Sequence, residues 1–240
     1  MSPVELLVAG TTVAVGACLQ STVGFGLSLL AVPILVLIDP ALVPVPLIVA
    51  SLALNLGTSY RNRVGIDGRV RWALLGSIPG TLLGAYAIAT IPQRPLAITF
   101  GVLVLAAVAV SACGLEVAPT AGSLLAAGMI SGFTGTASSI GGPPMALVYQ
   151  RAKGPTVRGT MALYFLVGSV LSIVALATFG RLGGRELLES AQLVPFMLAG
   201  FACSAPAARV LDRGRTRHAV LLVSTISALA LIANSLRGGS

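Results

Sequence analysis

Long apolar segments separated by short polar connectors run through the whole chain. In the first half the segments lie at residues 6–38, 41–60, 72–89 and 96–113. In the second half they lie at residues 117–150, 159–179, 191–208 and 219–234. One crossing of a bilayer takes about 20 apolar residues in a helix. The pattern therefore predicts membrane-spanning helices, and the first segment of each half is too long for one upright helix.

These two long segments each contain an interruption. The first is QSTVGFG, from Gln20 to Gly26, and the second is TGTASSIGGPP, from Thr134 to Pro144. Glycine and proline unwind a helix, and a membrane tolerates such backbone only where it is buried in protein or lines a watery cavity. The interruptions are therefore predicted to form a binding site. A long tilted helix and two shorter helices that meet at the break both remain open for the first segment.

The two halves follow the same plan. Each half has a glycine-broken segment followed by three uninterrupted ones, and the third segments end alike, in GTLLG at Gly80–Gly84 and GFACS at Gly200–Ser204. We predict an all-α polytopic membrane protein with two four-element repeats, residues 1–116 and 117–240 of the transmembrane domain. Each repeat is expected to be a glycine-broken helical hairpin plus three transmembrane helices.

The arginines predict a topology. Basic connectors lie at residues 61–71, 151–158 and 209–217, whereas the connector at 181–189 has mixed charge. If the second broken segment enters and returns as a hairpin, all three basic connectors are cytoplasmic, as the positive-inside rule prefers. Each half then crosses an odd number of times, so the halves are inverted. Inverted repeats with broken helices are common in secondary transporters.

Composition supports the membrane assignment and narrows the possible partners. The chain is 56% hydrophobic and 9% charged, against about 25% charged in soluble domains. The net charge of +8 does not indicate nucleic acid, because the basic residues sit in short connectors. Cys18, Cys113 and Cys203 lie in apolar segments without metal-ligand spacing, so neither a metal nor another cofactor is expected.

The sequence contains no constellation typical of an enzyme. Its one histidine, His218, lies at a segment boundary, and its acidic residues lie at predicted ends or loops. Cation carriers and proton relays usually place acids within the membrane. Helices that begin near Gly26 and near Pro143 or Pro144 would instead direct unpaired N–H groups and partial positive charge at the breaks, which favours anions.

The candidate substrate-binding residues come from the two breaks. They are Gln20, Ser21, Thr22, Gly24, Gly26, Thr134, Thr136, Ser138, Ser139, Gly141 and Gly142. For each of them, helix capping by the hydroxyl or packing at the glycine remains the alternative. Further polar candidates, which helix–helix hydrogen bonds explain equally well, are Ser51, Asn55, Tyr164 and Ser169. We expect Gly76, Gly80 and Gly84 to serve packing, and Arg158 to mark the cytoplasmic side.

Several of these motifs together resemble those of a known family. They are GFG-x6-P at Gly24–Pro33, the glycines 128, 132 and 135 leading to Gly141-Gly142-Pro143, and the basic turn at residues 209–217. In this ordered set the chain resembles the TauE/SafE sulfite exporter family of bacterial membrane proteins over nearly its whole length. The resemblance implies export of sulfite, organosulfonates or related small anions, and a multi-pass location in the bacterial inner membrane. The first motif lacks the extra glycine that commonly follows GFG in the family.

Our leading hypothesis is a secondary transporter for a small sulfur-containing anion that works by alternating access around the two breaks. An uncoupled small-anion channel and a non-transporting membrane scaffold are the alternatives. The expected partners are the lipid bilayer, the anion and, as a possibility, further copies of the chain.

Overall fold

The computed structural model describes residues 1–90 and 117–210, together with positions 102–103, 105–106, 108–109, 225–226 and 229. The two continuous ranges are helical, without a strand. The first range forms α1 (Pro3–Val23), α2 (Leu27–Ile38), α3 (Val45–Arg61) and α4 (Val70–Thr90). The second forms α5 (Ala121–Ser138), α6 (Gly142–Tyr149), α7 (Gly154–Thr178) and α8 (Gly184–Val210). The predicted segments at 96–113 and 219–234, the connector at 209–217 and His218 lie wholly or largely outside the described residues.

Four of these helices are long and apolar enough to cross a membrane. They are Pro3–Val23, Val70–Thr90, Gly154–Thr178 and the Gly184–Ala207 part of α8. On α4, large apolar side chains such as Leu75, Leu82 and Tyr86 are exposed, as expected of a surface that faces lipid. The prediction of an all-α polytopic membrane protein is confirmed.

Two helices begin earlier than the apolar pattern predicted. Helix α7 begins at Gly154 instead of 159, so Arg158 is helical. Helix α8 begins at Gly184, and the acids predicted to lie in a loop belong to it. Its first turn is stabilised by the Glu186 carboxylate, which accepts from the Gly183 N–H at 2.9 Å. The predicted boundaries were wrong because polar residues extend both helices beyond their apolar parts.

Helices α1 and α2 form a hairpin. Helix α1 runs alongside α8 in the same direction, since Gly10 packs on Phe196 and Gly200 packs on Ala14. At the beginning of α8, Arg185 Nη2 lies 3.2 Å from a carboxylate oxygen of Asp39, the residue that follows α2. The outer ends of α1 and α2 therefore lie at the same end of the bundle. Of the two possibilities left open for the first segment, two shorter helices is the correct one.

Helices α5 and α6 form a second hairpin that enters from the other end. Before α5 begins, the Pro119 carbonyl accepts from Arg69 Nη1 at 3.3 Å. Tyr149, the last residue of α6, lines a surface cavity with the same two residues. At the tip of this hairpin, Ser139 Oγ donates to the Pro44 carbonyl at 3.1 Å, close to Asp39 in the sequence. The two hairpins therefore point in opposite directions.

The connectors define two ends of the bundle. The arginine end carries Arg61, Asn62, Arg69, Pro119 and Arg158, and the opposite end carries Asp39, Ala89, Arg181, Arg185 and Glu189. At the arginine end the Asp67 N–H donates to Thr160 Oγ1 at 2.9 Å. At the opposite end Arg181 Nη2 donates to the Ala89 carbonyl at 3.0 Å. The connectors at 61–71 and 151–158 thus share one end, and the connector at 181–189 lies at the other.

Helix packing in the two halves matches. In the first half, α1 and α3 both pack on α8, which belongs to the second half. In the second half, α5 and α7 both pack on α4, which belongs to the first half, and α3 and α7 pack on each other. This is the pattern that a two-fold relation between residues 1–116 and 117–240 would produce. The duplication itself stays a prediction.

Glycines bring α4 and α5 into close contact. A methyl group on Gly76 or Gly80 would collide with the carbonyl oxygens of Leu125 and Met129, and one on Gly128 would collide with that of Ala73. Small residues at helix interfaces allow such close approach in membranes. The packing role predicted for these α4 glycines is confirmed.

Candidate functional site

The two chain breaks meet inside the bundle. Phe25 in the first break packs against Gly142, where a Cβ atom would lie 3.2 Å from the Cβ of Phe25. Beside this contact is a cavity of about 70 Å³, lined by both breaks and by α3, α4, α5 and α7. A water molecule needs roughly 10–15 Å³ of such volume. The cavity therefore has room for several waters or for one small polyatomic ion.

Each break is only three residues long. The first is Gly24–Gly26, and Gly24 and Gly26 have φ angles of 108° and 123°, which side chains other than hydrogen rarely permit. The second consists of residues 139–141, with Ser139 left-handed at φ 62°. Both predicted breaks were too long. Of the first, Gln20 to Gly26, residues 20–23 still belong to α1; of the second, Thr134 to Pro144, residues 134–138 continue α5 and residues 142–144 begin α6.

The helices that begin at the cavity lack side-chain caps. Helices α2 and α6 start after Gly26 and Gly141 without a capping side chain. In contrast, the entering helices α1 and α5 both have complete capping boxes, from Ser2 and Thr120. The first N–H groups of a helix have no partner within it. The N–H groups at the start of α2 are therefore left to a ligand or water, and Leu27, Ser28 and Leu29 line the cavity.

The two helix starts contribute unequally. Two of the first three residues of α6 are Pro143 and Pro144, and proline has no N–H. Helix α6 therefore offers the cavity its dipole and the Gly142 N–H, whereas α2 offers a full first turn of donors. The sequence predicted two facing amide ends, and the structure makes α2 the principal one.

Polar side chains connect the helices around the cavity. Gln20 Nε2 on α1 donates to Asn55 Oδ1 on α3 at 2.9 Å. Between α5 and α7, the hydroxyls of Thr136 and Ser172 are 2.7 Å apart. The Ser51 and Ser169 hydroxyls join α3 to α7 at 3.4 Å. Of the described residues that line the cavity, none carries a charged side chain, so its polar surface consists of amides, hydroxyls and backbone.

Five predicted site residues line this cavity. They are Gln20, Gly26, Ser139, Gly141 and Gly142. The structure does not bring the other six to the cavity. Ser21 bonds to Thr58 and Thr136 bonds to Ser172. The hydroxyls of Thr22, Thr134 and Ser138 donate to the carbonyl four residues earlier, and Gly24 faces Val157 and Arg158.

Several lining residues were not among the sequence candidates. They are Phe25, Ser28, Thr81, Ser131, Phe165 and Ser172. Ser131 fixes the second break, because its hydroxyl donates to the Gly141 carbonyl. These serines and Thr81 stand in otherwise regular apolar segments, where the sequence does not indicate which face turns inward. The polar candidates Ser51, Asn55, Tyr164 and Ser169 do line the cavity, and Tyr164 also donates to the Gly128 carbonyl at 3.2 Å.

Comparison with protein families gives one clear match. The model of the family described as "Sulfite exporter TauE/SafE" matches residues 8–231. The match includes both breaks and every residue that lines the cavity. No curated protein and no solved structure matches the chain.

Proposed function

The chain belongs to the TauE/SafE sulfite exporter family, and we propose that it is a secondary transporter of small sulfur-containing anions such as sulfite or organosulfonates. With its four long apolar helices, it is a multi-pass membrane protein of a transporter family. The substrate class, the direction of transport and the mechanism belong to the proposal.

The uncapped start of α2 at the cavity is the observation that carries the proposal. Backbone N–H groups and partial positive charge at a helix start favour an anion. The amides of Gln20 and Asn55 add neutral donors. Because no charged side chain lines the cavity within the described residues, the anion is held without a strong ion pair. Such a site binds and releases its ligand readily, as a transporter requires.

The opposed hairpins suggest how access alternates. The first hairpin reaches the cavity from the opposite end and the second reaches it from the arginine end. Movement of one half against the other would separate Phe25 from Gly142 and open the cavity to one end at a time. Inverted repeats that move around a central site are a common transporter mechanism.

We place the protein in the bacterial inner membrane with the arginine end in the cytoplasm. The connectors at this end carry Arg61, Arg63, Arg69, Arg71 and Arg151. An excess of arginine and lysine marks cytoplasmic loops. Export then moves the anion from the arginine end to the opposite end.

Sulfite flux in proteoliposomes tests the proposal. We expect purified protein to carry radiolabelled sulfite or a sulfonate, and excess unlabelled anion on the far side to accelerate entry of the label. Flux without this counterflow would indicate the uncoupled channel. No flux of sulfite, sulfate or any sulfonate would overturn the proposal.

A further inference from the structure

Two arginines lie beyond the cavity at the arginine end. On α3, Asn55 lines the cavity and Arg61 follows six residues later. On α7, Tyr164 lines the cavity and Arg158 precedes it by six residues. Six helical residues rise by about 9 Å. Both helices therefore carry an arginine about 1.7 turns beyond the cavity, toward the same end.

Both guanidinium groups contact the last turn of α1. Arg61 Nη2 donates to the Ser21 carbonyl at 3.4 Å, and Arg158 Nη1 donates to the Thr22 carbonyl at 3.5 Å. The carbonyls at a helix C-terminus carry partial negative charge, which attracts cations. The two arginines thus hold the tip of the first hairpin from α3 and from α7, directly before the break at Gly24.

These contacts are weaker than those that an oxyanion would offer. N–H···O hydrogen bonds are typically 2.9–3.0 Å long, so the contacts to the α1 carbonyls are long. Guanidinium groups bind oxyanions with shorter, charge-assisted and often bidentate hydrogen bonds. The Arg61 guanidinium is also positioned by Ser204 Oγ at 2.9 Å and by the Phe201 ring, whose centroid is 4.5 Å away. An anion at this point would replace the carbonyl contacts.

The tip of the second hairpin has no such arrangement among the described residues. Thr178 lies six residues beyond the cavity residue Ser172 on α7, and Ala41 lies six residues before the cavity residue Leu47 on α3. The tip itself is held by the neutral hydrogen bond from Ser139 to Pro44. Among the described residues, the contacts that hold the two hairpin tips therefore differ in charge.

We propose that Arg61 and Arg158 form a second, outer binding site for the oxyanion at the arginine end. There the anion replaces the α1 carbonyls as the hydrogen-bond acceptor of the two arginines, which loosens the tip of the first hairpin. The anion then moves between this outer site and the cavity. This inference rests on the proposed function, because it requires an anionic substrate. It predicts a difference between the two ends in how the anion is bound, which the neutral cavity alone does not explain. Since salt screens exposed charges, ionic strength raises the KM at the arginine end more than the KM at the opposite end.

Vesicles of known orientation test the outer site. Arg158→Gln is expected to raise the KM for sulfite at the arginine end roughly tenfold, as loss of one charged hydrogen bond does, with little change in the maximal rate. Arg158→Lys retains the charge, so its KM should lie between those of wild type and Arg158→Gln. Arg63→Gln is the matched control, because Arg63 is exposed at the same end and contacts the Tyr60 ring.

The ionic-strength dependence of the wild-type KM tests the outer site even if a variant fails to fold. A KM that depends more strongly on salt at the arginine end than at the opposite end supports the outer site. Equal salt dependence at the two ends, or a wild-type KM in folded Arg158→Gln, overturns it. Wild-type vesicles without anion flux would instead overturn the proposed function.

Discussion

Gln20 Nε2 on α1 donates to Asn55 Oδ1 on α3 at 2.9 Å, and both side chains are more than nine-tenths buried while they line the cavity. Because Asn55 Oδ1 accepts this bond, the Asn55 Nδ2 group remains to donate to a ligand. An amide donor at this point stabilises an anion without an ion pair. We therefore expect a substitution at Asn55 to reverse most easily the preference of the cavity for anions.

Asn55→Asp is predicted to abolish anion transport at neutral pH. Two like charges 4 Å apart repel by about 4 kcal/mol at an effective dielectric constant of about 20, so the KM rises by roughly a hundredfold or more. The control is Asn55→Leu, which removes the donor without adding charge and reduces transport less. Equal KM values for the two variants at neutral pH would refute this electrostatic role.

Gly26→Ala is predicted to impair transport through backbone strain alone. A methyl group at Gly26 meets no atom within 4 Å, but the φ angle of 123° is unfavourable for alanine. Such strain costs about 1–3 kcal/mol and shifts the start of α2, whose first three residues line the cavity. Gly68→Ala is the matched control, since that position is also open and has no positive φ. Flux measured side by side in proteoliposomes should fall only for Gly26→Ala. Equal flux would show that the α2 start tolerates the change.

Gly80→Ala is predicted to destabilise the α4–α5 contact. Its methyl group collides with the Met129 carbonyl, and overpacking of this kind costs about 1–3 kcal/mol. At Gly122, near the start of α5, a methyl group meets no atom within 4 Å, so Gly122→Ala should leave the melting temperature unchanged or slightly raised. Thermal unfolding in detergent compares the two variants. A melting temperature of Gly80→Ala at or above wild type would contradict the packing.

The connector at the arginine end is predicted to lose stability in acid. Its Arg69 guanidinium hydrogen-bonds the Asp67 carboxylate at 3.0 Å, which holds the pKa of Asp67 below its usual value. A carboxyl group with a lowered pKa stabilises the fold above its unfolded pKa of about 3.9. The contribution is lost as the pH falls through the folded pKa. Asp67→Asn should therefore lower the melting temperature at neutral pH by a small amount, and wild type and variant should converge below about pH 4. A constant difference down to acidic pH would contradict this.

The sequence predicted the existence of both breaks, because glycine pairs and prolines leave few alternatives inside an apolar segment. It placed both breaks too broadly, since residues 20–23 belong to α1 and residues 134–138 belong to α5. Thr134 and Ser138 resemble loop residues, but each hydroxyl donates to the carbonyl four residues earlier, which satisfies the side chain without leaving the helix. A run of small hydroxyl residues therefore does not show whether the segment is a loop or a helix.

The rest of the cavity depends on helix rotation, which the sequence pattern did not reveal. Thr81 and Ser131 face the cavity because the glycines of α4 and α5 fix how these two helices contact each other. Similarly, the sequence placed Arg158 in a connector, whereas in the structure it belongs to α7, which begins at Gly154. From its position in the sequence, Arg158 was predicted only to mark the cytoplasmic side. Its contact with the Thr22 carbonyl arises from the tertiary fold and could not be predicted from the sequence.

Anomalous diffraction from crystals soaked with selenite, the selenium analogue of sulfite, tests the central claim most directly. We predict a selenium peak in the cavity beside the start of α2, within hydrogen-bonding distance of Asn55 or of the backbone at Leu27–Leu29. The peak should disappear in Asn55→Asp. A selenium site outside the cavity, or an empty cavity in a protein that transports selenite under the same conditions, would contradict the account.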